Sequence, residues 1–79
     1  MSWNHRILVT EDNNGDIYFQ IHEVFYNGDG TPNGYTMNPI TIGSDDIKGL
    51  TWTVNKIKEC LKKPILWGDN KFPQEYLKT

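Results

Sequence analysis

The sequence predicts an α+β fold in two layers, a three-stranded antiparallel meander followed by one helix (β-β-β-α). Three observations carry this. The run Ile17–Tyr26 (IYFQIHEVFY) is rich in β-branched and aromatic residues and has turn formers at both ends, Asn13-Asn14-Gly15-Asp16 before it and Asn27 to Gly34 after it. The apolar residues Ile47, Leu50, Val54, Ile57 and Leu61 recur at steps of three and four, a helical stripe. Strands come first and the helix after, an order that sets one helix across a small sheet.

The first strand runs from about Trp3 to Thr10. Asn14-Gly15 is a strong hairpin signal, a type I′ pair with positive φ at both positions. With that pair central, Leu8 faces Ile21, Arg6 faces Glu23 and Thr10 faces Phe19, so Arg6 and Glu23 form a structural cross-strand pair. The other face then carries Trp3, Ile7, Val9, Tyr18, His22, Val24 and Tyr26. A one-residue slip would exchange all these partners. A third strand, Tyr35 to Ile42, contains Pro39 and is therefore an edge strand or a strand broken at Asn38-Pro39. Ser44 is the expected N-cap, with Asp45 and Asp46 in the first helical turn, where the helix dipole favours acids. Lys58, Lys62 and Lys63 enrich the last turns and Pro64 stops the helix. The apolar stripe is far short of a coiled coil. Ile65–Trp67 offers a short fourth strand. Residues 1–67 thus form a single domain, and residues 68–79 a C-terminal tail, lying over the domain or frayed.

The chain of 79 residues has a net charge of −2, and a domain this small buries only roughly 60% of its unfolded surface. Residues 1–46 carry one base and seven acids, a charge of −6, while residues 47–79 carry seven lysines and three acids, a charge of +4. Such asymmetry suits attraction between the halves or an acidic partner, but an acidic pI of about 5.5 is unlike that of nucleic-acid binders. A single cysteine, Cys60, excludes an intramolecular disulfide and points to a reducing cytoplasm. No apolar run reaches the roughly 20 residues of a membrane span, and the N-terminal residues do not have the form of a signal peptide.

Few constellations carry chemistry. His22 and Glu23 are neighbours on a strand and point to opposite faces. His5 and His22 share a face in the expected register, but no third ligand stands at metal-site spacing. The Asp12–Asp16 and Asn27–Gly30 segments glance at a calcium loop but lack its full pattern and its terminal glutamate, and read as turns. Cys60 sits beside the apolar stripe as a buried, inert thiol. No catalytic residue, metal or cofactor is expected. Trp52 falls opposite the stripe, near Lys56, Glu59 and Lys63, and so suits a protein hot spot or a stacking contact with nucleic acid.

Trp3-Asn4-His5-Arg6-Ile7, Ile21-His22-Glu23-Val24-Phe25-Tyr26, the Asn27–Pro32 loop, Asn38-Pro39-Ile40 and Lys63-Pro64-Ile65-Leu66 together resemble a group of small uncharacterised bacterial proteins. That group has a W-N-x-R-V segment, then I-H-E-V-Y-Y-D-x-D-G-x-P, then a T-x-[DN]-P-[VI] segment, a capped helix and K-P-[VI]-L. The resemblance covers most of residues 1–66, departs in the helix at Trp52 and the lysine-rich face, and implies the fold without any activity. The β-β-β-α order is also similar to HicB-type antitoxins, without their glycine- and proline-containing motifs, an analogy of architecture only.

The functional expectation is a non-enzymatic module that binds a protein or a second copy of itself. Its surface would be the aromatic sheet face (Trp3, Tyr18, His22, Tyr26) or the helix side with Trp52, Lys56 and Lys63. The alternative is a nucleic-acid-binding or antitoxin-like regulatory accessory protein using the lysine-rich helix face.

Overall fold

A computed structural model describes residues 2–77. Two long strands, β1 (Ser2–Glu11) and β2 (Ile17–Tyr26), form the centre of a four-stranded sheet with β3 (Pro32–Tyr35) and β4 (Leu66–Trp67) at its edges, in the order β3-β2-β1-β4. One helix, α1 (Ile47–Lys58), runs on as a 3-10 turn over Glu59–Lys62 and stops before Pro64. The fold is therefore the small α+β domain that the pattern of strands and helix predicts. The sheet is mixed rather than purely antiparallel, because the connection through α1 returns β4 parallel to β1. Among the described residues no helix is long and apolar enough to cross a membrane.

The β1–β2 register differs by one residue from that expected. Leu8 faces Gln20, Arg6 faces His22 and His5 faces Glu23. The cause is the turn. The Gly15 amide donates to the Asp12 carbonyl at 3.1 Å and the Asp12 amide to the Asp16 carbonyl at 2.9 Å, with positive φ at Gly15 and not at Asn14. This is a type I turn closed by a left-handed glycine, a three-residue loop in place of the two-residue type I′ loop. Asp12 selects it, since its Oδ1 accepts from the Asn14 and Asp16 amides. The β2–β3 turn repeats the device, with Gly30 at positive φ and Asp29 Oδ1 accepting from the Thr31 amide and hydroxyl. Those bonds hold the Asp29 carboxyl below its ordinary pKa. Both aspartates thus serve their own turns.

The shift redistributes every face. Arg6, Leu8, Tyr18, His22, Val24 and Tyr26 share one side, and Trp3, His5, Ile7, Val9, Phe19 and Glu23 share the other. The expected aromatic sheet face is split between the two, and Arg6 and Glu23 point apart. His5 and His22 also lie on opposite faces.

The sheet curls around the first side. Leu8, Val24 and Leu66 form its buried core, against which Tyr26, Tyr35 and Phe72 pack. The hydroxyl of Tyr35, on one edge strand, accepts from the Asp69 amide just beyond the other edge at 2.7 Å. A short bond between opposite edges closes the concave side. The tail contributes to both faces. Phe72 meets Tyr35 on the concave side, while Tyr76 meets Phe19 and Trp67 on the convex side. The Trp67 amide donates to the Gln74 carbonyl and the Tyr76 amide to the Ile65 carbonyl, so the tail pairs along the free edge of β4. Lys78 and Thr79, the last residues of the tail, lie outside the described residues.

Two further expectations are corrected. The third strand spans Pro32–Tyr35, with the proline at its first position where a missing donor is tolerated. Residues 36–46 keep only isolated bonds to β2, Thr36 amide to Glu23 carbonyl and Ile40 amide to Ile21 carbonyl. The N-cap is Asp46, not Ser44. Its Oδ1 accepts from the Gly49 amide at 2.7 Å, a carboxylate being an equally good cap two residues further along the chain.

Candidate functional site

α1 lies on the convex face and buries a narrower line than the stripe of its leucines and isoleucines suggests. Ile57 and Cys60 are buried, and Leu50 and Thr53 are half-buried. Ile47, Val54 and Leu61 are exposed. Burial pushes the Cys60 thiol up from its ordinary pKa, which keeps it protonated and unreactive.

Beside this line a cleft of about 400 Å³ opens between α1 and the start of β1. Trp3 and His5 enter from β1, Glu23 from β2, Trp52 and Ile57 from α1, and Pro39 and Ile40 from the connecting segment. A second recess of about 220 Å³, between Trp3, Asn4 and His5 and the helix residues Lys56, Glu59 and Lys63, shares the Trp3–His5 wall. Trp3 and His5 stand edge-to-face at 5.3 Å, and Lys56 Nζ lies 5.9 Å from the Trp52 ring centre.

Local structure explains how the walls are held. Trp3 and His5 are two apart on one strand, so they project together. Trp52 is carried on the helix flank facing the 36–41 segment. That segment is anchored through His22, a buried residue of the concave face. The His22 Nδ1 lies 3.0 Å from the Thr36 carbonyl; a carbonyl only accepts, so Nδ1 bears the proton. The Thr36 hydroxyl then donates to the Asn38 carbonyl, setting Pro39 and Ile40 along the cleft.

The structure thus brings together four of the residues singled out from the sequence, Trp3, Trp52, Lys56 and Lys63. It separates three others. His22 is buried, Tyr26 is committed to Arg6 and to Asn4 Oδ1, and Tyr18 is exposed on the concave side. Glu23 reaches the cleft as the partner of His5 instead of Arg6. Pro39 and Ile40 are not among the residues the sequence singles out, and His5 is weighed there only as a companion of His22. The Asn38-Pro39 break was the one signal for Pro39 and Ile40, as a place where the chain leaves the sheet.

Partial burial holds the His5 pKa below its ordinary value; Glu23 opposes the shift and Lys56 adds to it. The imidazole is therefore neutral near pH 7. The unfolded chain takes up this proton more readily than the folded one, so the stability contributed by neutral His5 is complete above about pH 6.5, the unperturbed histidine value. It falls as pH drops from there toward the folded pKa. Titration of the His5 ring by NMR should give a midpoint below that of an unfolded histidine, and Lys56→Gln should raise it. A midpoint at or above the unfolded value would contradict the burial of this ring.

Among the described residues no group of three or more His, Cys, Asp or Glu side chains is placed to hold a metal ion. What the cleft offers is two indole surfaces with a proline and Glu23 in its walls, and Lys56, Glu59 and Lys63 along the adjoining recess, an arrangement for burying an apolar group with charges of both signs beside it. Comparison with protein-family models, with curated proteins and with solved structures finds no match to this chain.

Proposed function

We propose that the protein is a non-enzymatic interaction module that takes a segment of a protein partner into the cleft between α1 and the start of β1. One observation supports this most directly. Two tryptophans from separate elements, Trp3 at 49% and Trp52 at 66% exposure, line one groove. Tryptophan dominates binding energy where a partner desolvates it. Lys56 and Lys63 beside Trp3, with Glu59 in the same recess, leave it a net charge of +1, which favours a segment that follows an apolar or aromatic anchor with an acid. A version of this reading built on one aromatic sheet face has no support, because the strand register divides that face.

The test is selection of a displayed random-peptide library on the full chain. Peptides pairing an apolar anchor with a carboxylate should enrich. Trp52→Ala should weaken a selected peptide by about 30-fold, the effect of losing about 2 kcal/mol at a hot spot. No enrichment, or equal binding by Trp52→Ala, would remove the cleft as the binding surface.

The meeting of Trp3 and Trp52 beside lysines also favours a second reading, stacking of single-stranded nucleic acid in an antitoxin-like regulatory protein. Binding of an oligonucleotide would then weaken steeply with salt. The −6 charge of residues 1–46 opposes it. A cytoplasmic setting in a bacterium belongs to the same proposal, supported by the single buried thiol and by the resemblance of residues 1–66.

A further inference from the structure

The other flank of α1 and of the 3-10 turn that continues it carries a separate apolar surface. Ile47, Val54 and Leu61 are 76%, 43% and 67% exposed and stand seven residues apart, with Thr51 and Lys58 between them. Steps of four and three keep these five on one side of the helix, the spacing of a helix–helix seam. The seam lies about a quarter turn from the line that meets the sheet.

The molecule also exposes more surface than its size requires. Its accessible area is 5925 Å², whereas a compact monomer of 9.2 kDa exposes about 4,900 Å². The radius of gyration is 13.5 Å, against about 11.6 Å for a compact chain of this length. The excess is about 1,000 Å² over the whole molecule.

We propose that a second copy of this chain docks on the seam, its α1 antiparallel to the first about a two-fold axis near Val54. Ile47 then meets Leu61 of the second copy at both ends, and Val54 meets its own counterpart. Charge selects the orientation. Asp45 and Asp46 precede the seam, with Lys48 beside them, and Lys58, Lys62 and Lys63 crowd its other end around Glu59, so the two ends carry charges of −1 and +2. A parallel pair sets like charges together, whereas the antiparallel pair brings the acids of each copy to the lysines of the other. Association through strand edges is closed off, since β3 has four residues beginning with Pro32 and the outer side of β4 is bonded to the tail. The seam and the Trp3–Trp52 cleft occupy different flanks of α1, so one can fail without the other.

The test is the solution mass of the full chain at millimolar concentration, by light scattering behind size exclusion. Twice the single-chain mass is expected. Val54→Glu should return the single-chain mass with an unchanged circular dichroism spectrum, and Trp52→Ala should remain dimeric. Asp45→Lys should weaken the dimer, and adding Lys62→Glu should restore it. A single-chain mass for the wild type would overturn the proposal, as would a dimer that survives Val54→Glu. A dimer lost in Trp52→Ala but kept in Val54→Glu would overturn the seam and place self-association in the cleft.

Discussion

Leu8→Ala is expected to cost about 2–5 kcal/mol and to leave the chain largely unfolded, because a core of this size supplies only about 3–5 kcal/mol. Leu8 is 1% exposed. It stands at the centre of the concave core, between Val24 of β2 and Leu66 of β4. The curled sheet cannot collapse onto the cavity, since its edges are already tied by the Tyr35–Asp69 bond. Urea unfolding followed by circular dichroism measures the effect. Tyr18→Ala is the control, a large side chain on the same face that is mostly exposed, for which a change within about 0.5 kcal/mol is expected. Equal effects of the two substitutions would show that the concave face is not the core.

Arg6→Ala is the second large effect expected. The guanidinium is buried. Its Nε and Nη2 donate to the Pro64 carbonyl at 3.2 and 2.8 Å, and its Nη1 donates to the Tyr26 hydroxyl at 2.8 Å. That hydroxyl donates onward to Asn4 Oδ1 at 2.7 Å. One side chain therefore joins β1, β2 and the point where the chain leaves α1 for β4. Hydrogen bonds from a charged donor contribute about 1.5–3 kcal/mol, and a loss in that range is expected. Arg6→Lys should recover only part of it, because an ammonium lacks the fork that spans two acceptors. Faster amide exchange at Trp67 in Arg6→Ala would identify the lost link to β4. Stability within 0.5 kcal/mol of wild type would show that Tyr26 and Pro64 are satisfied without it.

Much of the local structure is legible in the residues. β1 and β2 follow from β-branched and aromatic runs between turn formers, and α1 from its 3.6-residue period and from Pro64 at its end. Asn14-Gly15 marks the hairpin but does not choose between a two- and a three-residue loop. Asp12 chooses, through two side-chain bonds to turn amides, and that one-residue difference decides which side chains are buried. The same limit applies to α1. Several apolar residues recur with helical spacing, but the line that meets the sheet is Leu50, Thr53, Ile57 and Cys60, leaving Ile47, Val54 and Leu61 outside. A helical period tells that a face exists, and the docking angle of the helix tells which.

The site divides in the same way. Trp52 is legible as an exposed aromatic beside lysines, because a helical wheel needs only local geometry. Its meeting with Trp3, His5 and Pro39 is not, because those residues are brought together by the register of β1 on β2 and by His22 holding the 36–41 segment. By itself the sequence determined the two long strands, the helix, their order and the α+β class, through local propensity, turn formers and the helical period, while the bounds of the third strand and the N-cap differ from those it suggests. The tertiary structure alone decided the register, the buried side of the helix, the parallel return of β4 and the two-tryptophan cleft. The last three depend on contacts between distant residues, and the register on the bonds that Asp12 makes inside its own loop; in each, a single residue of loop or a fraction of a turn reverses what is inside and what is left for a partner.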